Sequence, residues 1–402
     1  MESQLFQGLT VIDCASYIAA PAAATVFSDF GANVIKIEPP EGDPYRELHA
    51  LPGGAKGARN YPWEMDSRNK RSLCLDLKTP AGLDALHRLL LSSDVFITNL
   101  PFQVRKRLNI GHESLCARNP RLIYASFTAY GEAGPEAEKP GFDATAYWAR
   151  SGLMDMIRSE ASAAPSRSVA GLGDHPSGIT LFAAIVSALY RRERSGKGGL
   201  VSSSLLANGL WSNALQIQAS LFGGTFAPRA PRNMAPNPFS NIYRCRDGRW
   251  LNLVILNEAR QFEPLFAVLG CAERCADVRF REPEARRANH VELIALLDER
   301  FAQRELADWR VRLDEAGISF GVIGTLDDVA EDVQMRASGA LVPFADGKEF
   351  TVSAPFSIEG AAKRAPQRAP TQIGEHSEEV LREAGLSLQE IRDLRAQGVL
   401  GG

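Results

Sequence analysis

The residues with the clearest capacity for chemistry are Gly171-Leu172-Gly173-Asp174-His175-Pro176-Ser177-Gly178. They run without a break into the apolar stretch 179–190 and then into Arg191-Arg192-Glu193-Arg194. Two glycines, a carboxylate and a proline ahead of an apolar run predict a helix of about four turns ending in cations, the sign its dipole prefers. Asp174 therefore stands at a helix N-terminus, where two roles suit it. As an N-cap its side chain would accept an orphan backbone N–H, with Pro176 at an early position where a missing N–H costs nothing. As a nucleophile it would be kept ionised and aimed by the same helix end, since carboxylates serve as covalent catalysts.

The elements that must hold this turn alternate between strand and helix. Leu9–Cys14, Asn33–Glu38, Ser72–Leu77, Val95–Thr98 and Arg121–Ser126 read as buried strands. Between them Pro21–Phe30 (closed by Gly31), residues 80–93 and a basic stretch 103–109 read as helices. The pattern predicts an α/β fold with a doubly wound, Rossmann-like sheet. No Gly-x-Gly-x-x-Gly follows the first strand, which disfavours nicotinamide and flavin cofactors. After the Asp174 helix, Gly196–Gly199 turns into a mainly apolar segment, 200–222. The Pro- and Arg-rich stretch 227–238 then reads as a domain crossing. A strand pair around Asp247-Gly248 and helices over 259–269, 289–302 and 304–316 suggest a small α+β domain. The expected division is 1–225 for the first part of a large domain, 226–335 for linker and small domain, and 336–402 for a return segment that completes the large one. The last two short helices have apolar positions that need a partner surface.

With 402 residues, 45% of them hydrophobic, and a formal net charge of −3, the chain can build a large core and carries no basic field for nucleic acid. Mean hydropathy is −0.15 and the pI about 6.1. An anionic ligand would need a local cluster of cations. Met1-Glu2-Ser3-Gln4 is not a secretory leader and no apolar run is long enough to span a bilayer, so a cytoplasmic location without membrane attachment is expected. Cys14, Cys74, Cys116, Cys245, Cys271 and Cys275 are scattered, and the histidines form no metal-binding group. Reduced thiols and no metal are expected.

With these residues assembled, the chain resembles the family III (CaiB/BaiF) CoA-transferases, related to formyl-CoA:oxalate and carnitine CoA-transferases and to α-methylacyl-CoA racemase. The resemblance runs from end to end. It rests on residues 31–39, Asn69–Pro80, Tyr130–Pro135, Pro140-Gly-Phe-Asp143, the Gly173-Asp174 turn and Ile373–Leu381, in that order. It implies that Asp174 is a covalent nucleophile. CoA would pass from an acyl-CoA to a carboxylic acid through an aspartyl anhydride and an aspartyl-CoA thioester. No cofactor would be bound permanently, the CoA thioester being substrate. It further implies that Arg107 contacts the CoA diphosphate, that Lys78 belongs to the nucleotide site and that Tyr130 lies in the active site, with Lys70 and Arg71 as further CoA-binding candidates. An interlocked homodimer follows from the same resemblance. Residues around Arg229, Arg232 and Asn241 would then face a partner's Asp174.

The chain also departs from the family pattern. Asn99-Leu-Pro-Phe-Gln103 stands where the family commonly writes Asn-Phe-Arg-Pro-Gly, and Ile18 stands where oxalate-using members have glutamine. The acceptor is expected to be a small dicarboxylate or related acid, with Arg46 a candidate clamp for its second carboxylate. A racemase would need a histidine where Gly141-Phe142-Asp143 has phenylalanine, which cannot exchange a proton. His175 is the substitute to consider there. Intramolecular transfer within one dicarboxylate, and a CoA-ester binding protein without turnover, are the other readings.

Overall fold

In a computed structural model of the protein, which describes residues 4–50, 54–57 and 59–401, six strands form one parallel sheet. They are β1 (Thr10–Cys14), β2 (Asn33–Glu38), β3 (Arg71–Cys74), β4 (Val95–Thr98), β5 (Ile123–Thr128) and β6 (Gly199–Ser204). Their order is β3-β2-β1-β4-β5-β6, so the winding reverses between β1 and β4, where such sheets open a crevice at their carboxyl edge. Strand residues alternate between two cores, as the period of two demands. Val11, Val95, Ile97, Ile123 and Ala125 face one side; Ile12, Phe96 and Tyr124 face the other. The first five strands match the sequence expectation. The sixth lay inside the stretch read only as apolar, because Leu200-Val201 is followed by three serines. Pairing with β5, in register Ser126↔Ser202, is what makes it a strand.

Helices α1 (Ala19–Asp29), α2 (Tyr61–Ser67), α3 (Pro80–Leu91), α4 (Phe102–Arg107) and α5 (His112–Arg118) precede the helix that begins at Asp174. That helix runs to Ser195, longer than expected, because its polar tail continues to Gly196, whose left-handed φ of +69° ends it. Arg192 in its last turn is buried against Asp94 at 2.9 Å. Since β6 starts directly after this helix, its N-terminus lies at the carboxyl edge of the sheet. It packs beside α1 over the first core through Leu181, Phe182 and Ile185. Gly178 makes the approach possible, since a Cβ there would lie 2.8 Å from the Ala19 carbonyl oxygen and 2.9 Å from the Ala22 Cβ. The second core is closed by α3, α5 and the terminal helices Ser377–Glu383 and Leu388–Ala396, which supply Val380, Leu381, Ile391 and Leu394. That surface is the partner their apolar positions required.

A second compact unit comprises Met154–Ser166 and Gly223–Asp332, while the first takes in the rest of the chain. In the second, antiparallel strands β7 (Ser240–Arg244), β8 (Trp250–Val254) and β9 (Phe320–Val322) pack against helices Glu258–Val268, His290–Phe301 and Leu306–Glu315. Its core holds Tyr243, Phe266, Phe301 and Trp309. Among the described residues no helix is long and apolar enough to cross a membrane. The six cysteines are unpaired.

Gly178→Ala should lower stability by about 1–3 kcal/mol, because the backbone of α1 has to move to admit the methyl group. A urea midpoint equal to that of the parent protein would show that the two helices separate without cost.

Candidate active site

Gly171, with φ +85°, turns the chain into the Asp174 helix in a conformation that a side chain would strain. Gly173 occupies the cap position and makes no side-chain cap bond, so Asp174 is the first helical residue rather than the cap. Among the described residues nothing donates a hydrogen bond to its half-buried carboxylate. The capping role is therefore not the one Asp174 takes. Burial raises its pKa to about 7, with Asp143 and Asp66 adding to the rise and His175 opposing it. Asp143 opens a π-helical turn over Asp143–Ala149 and accepts the Gly173 N–H at 3.1 Å through Oδ2. A Cβ at Gly173 would overlap Asp143 Oδ1 and the Tyr147 ring, so this position admits only glycine. Burial also raises the Asp143 carboxyl above its ordinary value.

The His175 ring is engaged at both nitrogens. Nδ1 lies 3.1 Å from the Gly171 carbonyl oxygen and Nε2 3.1 Å from Asp66 Oδ1. Asp66, buried on α2, accepts the Tyr45 hydroxyl on its other oxygen. The Tyr45 backbone N–H in turn donates to Asp43 Oδ1 at 2.9 Å. Below these groups, under the carboxyl ends of β1 and β2, lies a cluster of buried charges. Lys36 meets Asp43 at 2.7 Å and Asp13 at 3.8 Å, and donates to the Ala15 carbonyl. Glu38 takes Arg46 bidentately at 2.7 and 2.8 Å together with the Ser72 hydroxyl at 2.6 Å.

The residues singled out in the sequence fall into two groups. Lys70 is not a ligand-facing cation. Its ammonium is fully buried, 2.9 Å from Asp13 and 2.8 Å from the Pro21 carbonyl oxygen, because its position in the loop before β3 turns it under the start of α1. Arg71 bonds Asn33, Glu379 at 2.6 Å and Glu383 at 2.7 Å, fastening the Ser377–Glu383 helix to β3. Arg46 is likewise committed, to Glu38, to the carbonyls of Pro370 and Thr371, and to the Trp63 ring 3.9 Å away. It is not free to clamp a carboxylate. Lys78, Arg107 and Tyr130, by contrast, follow the carboxyl ends of β3, β4 and β5. Lys78 is exposed, and among the described residues its ammonium has only Glu41 at 3.8 Å as an ion-pair partner. Arg107 is exposed and has no hydrogen bond or ion pair among the described residues. Tyr130 is half-buried beside Lys139, 5.2 Å from its ring centre. In the second unit Arg232 pairs with Asp298, Arg229 donates to the Met156 carbonyl at 2.8 Å, and Asn241 donates to the Arg232 carbonyl.

Several site groups had no signal in the sequence. Asp66 and Tyr45 lie more than a hundred residues before His175 and meet it only through the fold. Tyr17 has φ +66°, an outlier for a bulky side chain, and sets its ring edge-on to Phe142 at 5.8 Å. Next to it, Ile18 Cδ1 lies 3.6 Å from where a Gly171 Cβ would be, and Phe142 adjoins Asp143. An apolar collar thus borders the Asp174 turn.

A doubly wound sheet whose carboxyl edge carries a helix start with an uncapped aspartate is the architecture of an α/β enzyme. The chain matches the model of CoA-transferase family III over residues 6–377 and belongs to that family. It is a CoA-transferase, acting between an acyl-CoA and an acid. It is 32% identical to the (R)-2-hydroxy-4-methylpentanoate CoA-transferase of Clostridioides difficile, over 98% of this chain and 99% of that one. It is also 32% identical to the cinnamoyl-CoA:phenyllactate CoA-transferase of Clostridium sporogenes, over 98% and 96%. A crystal structure of a CaiB/BaiF family protein from Brucella suis superposes with a TM-score of 0.84 at 31% identity, covering 95% of this chain and all of that one.

Lys70→Ala should destabilise the protein by about 3–5 kcal/mol, because it leaves Asp13 buried with only the more distant Lys36. Chemical denaturation reads the loss. A variant of unchanged stability with weakened CoA binding would return Lys70 to the nucleotide site.

Proposed function

We propose that Asp174 is the nucleophile of CoA transfer from an acyl-CoA to a monocarboxylic acid with an apolar side chain. The observation that carries this reading is the Asp174 carboxylate itself, half-buried at the start of a helix and engaged by no hydrogen bond among the described residues. Its carboxylate attacks the thioester carbonyl: a C–O bond forms, the C–S bond breaks, and CoA thiolate leaves an aspartyl-acyl anhydride. The thiolate attacks the aspartyl carbonyl of the anhydride, releasing the donor acid and leaving an aspartyl-CoA thioester. The acceptor carboxylate attacks that thioester and displaces thiolate, which then attacks the acceptor carbonyl of the new anhydride and frees Asp174. Thioester energy is conserved at each step, so no hydrolysis of a nucleotide is required. In the first helical turn the His175 and Ser177 N–H groups bond the Gly171 and Gly173 carbonyls and Pro176 has no N–H, so the Asp174 N–H, without an acceptor among the described residues, is the donor suited to a tetrahedral oxyanion. The exposed cations Arg107 and Lys78 suit the CoA phosphates.

Two features favour an apolar monocarboxylic acceptor over the small dicarboxylate that the sequence suggested. Arg46, the candidate clamp, is held by Glu38, and Tyr17, Ile18 and Phe142 border the Asp174 turn with apolar surface. The relatives from C. difficile and C. sporogenes are named for 2-hydroxy-4-methylpentanoate and phenyllactate, acids of this kind. Two-base racemisation is disfavoured because Phe142 cannot exchange a proton and both nitrogens of His175 are engaged. We further propose that the enzyme is a homodimer of interlocked chains. The helix Ala214–Leu221 buries none of its residues, and Trp211, Leu215, Leu221 and Phe222 are each more than 70% exposed, an apolar surface suited to a second copy.

Incubation with branched-chain, aryl and succinyl thioesters, followed by hydroxylamine or borohydride, should label Asp174 by mass spectrometry. Asp174→Ala should abolish the adduct and lower kcat by about a thousandfold or more. Deuterium entering the α-carbon of an acyl-CoA without an adduct would replace transfer by acid/base chemistry. In the same assays 2-hydroxy-4-methylpentanoate and phenyllactate should outpace succinate and glutarate as acceptors. The reverse order would overturn the acceptor assignment.

A further inference from the structure

The two ring nitrogens of His175 face two acceptors. The Gly171 carbonyl oxygen can only accept. Asp66 offers Nε2 one oxygen while its other oxygen receives the Tyr45 hydroxyl. A neutral imidazole donates through one nitrogen and would turn a lone pair on the other against oxygen. Only the imidazolium satisfies both contacts. We propose that His175 is held as a fixed imidazolium, a positioning residue whose charge sets the pH at which the neighbouring Asp174 carboxylate is ionised and nucleophilic. This rests on the assignment of Asp174 as nucleophile.

The charged and titratable groups around the ring come from four elements and the loop before β3. Asp66 faces it from α2, with Lys70 behind; Tyr45 backs Asp66 from the 44–50 turn; Asp143 lies across the Gly173 turn; Asp174 is its own neighbour. Asp143, Asp66 and Asp174 are three carboxyls in one partly desolvated space, so a compensating cation is what this site needs most. The protonation pattern agrees with the geometry. Despite burial, hydrogen bonds from His175 and Tyr45 keep Asp66 below the ordinary carboxylate range. Asp66 in turn outweighs burial at His175 and lifts it to about 9. A neutral His175 would leave Asp174 facing Asp143 and Asp66 with no positive charge beside it, and its pKa would climb further above about 7.

The full-length protein, labelled with ¹⁵N in its histidine rings, tests the charge state directly. The His175 signals, assigned by their absence in His175→Gln or their shift in Asp66→Asn, should report a doubly protonated ring at pH 8. In Asp66→Asn the ring should titrate nearer the ordinary histidine value of about 6.5. A singly protonated ring at pH 7 in the parent protein would overturn the proposal. The functional half is read by single-turnover labelling of Asp174 against pH. The acid limb should have its midpoint near 7 in the parent protein and move upward by about one pH unit in His175→Gln, an approximately tenfold smaller ionised fraction at pH 6. His175→Lys, which keeps a cation there, should lie closer to the parent. Unchanged midpoints in both variants would refute the role of His175 while leaving Asp174 as nucleophile. Absence of Asp174 labelling at every pH would instead refute the nucleophile, whatever the ring signals show. Should His175→Gln fail to fold, the parent ring signals and His175→Lys still decide.

Discussion

The site hangs on one buried ion pair, the 2.7 Å contact between Lys36 and Asp43 beneath the carboxyl ends of β1 and β2. Both side chains are almost wholly removed from water, a placement that survives only when charge meets charge. Asp43 uses its other oxygen to hold the Tyr45 N–H, which fixes the tyrosine whose hydroxyl reaches Asp66. Asp66 then orients His175, and His175 stands beside Asp174. The opposite end of the cluster is tied down by Lys70 on Asp13 and by Arg46 on Glu38. Removing one member leaves an uncompensated charge, so the cluster acts as a rigid floor for the loops above it. Its contribution to net stability is small compared with the geometry it imposes, because desolvation offsets much of the Coulomb attraction.

What could be read from the chain was what depends on local pattern. Alternating apolar runs gave five strands of the sheet, and two glycines with an aspartate before an apolar stretch gave the start of the central helix. What could not be read depends on who meets whom. Gly199–Ser204 has little strand propensity of its own and becomes a strand because β5 offers an edge. Lys70, Arg71 and Arg46 share the same residue types as Lys78 and Arg107, yet the first three are held by carboxylates at hydrogen-bonding distance, whereas Lys78 has a loose 3.8 Å contact with Glu41 and Arg107 has no ion pair among the described residues. Composition carries no trace of that difference, since it arises from carboxylate partners as far as 312 residues away. Asp66 and Tyr45 escaped notice for the same reason.

The start of the Asp174 helix sets two tendencies against each other. The helix dipole favours an anion there, as does the neighbouring His175, while burial and two nearby carboxyls favour the protonated acid and lift the group to about 7. A carboxylate deeply stabilised by cap bonds would be a poor nucleophile, since each bond would have to be surrendered on attack. Gly173 at the cap position avoids this, because it supplies no side chain and leaves Asp174 one residue inside the helix. On the proposed role of Asp174, the charge that favours its ionised form comes from beside it rather than from bonds to it, and His175 is the group so placed.

Tyr17 shows how the apolar collar is held in place. A tyrosine at φ +66° costs about 1–3 kcal/mol of backbone strain and persists only where its surroundings over-determine it. Here the restraint comes from Asn99, which accepts the Ser16 N–H at 2.9 Å and donates to the Ser16 carbonyl at 2.8 Å, gripping the residue just before Tyr17 from across the β1–β4 crevice. With its backbone so fixed, Tyr17 remains partly exposed and edge-on to Phe142, itself largely exposed. Two aromatic rings kept in water at the cost of strain gain nothing for folding. On the proposed function, an apolar acyl chain bound next to Asp174 would bury them.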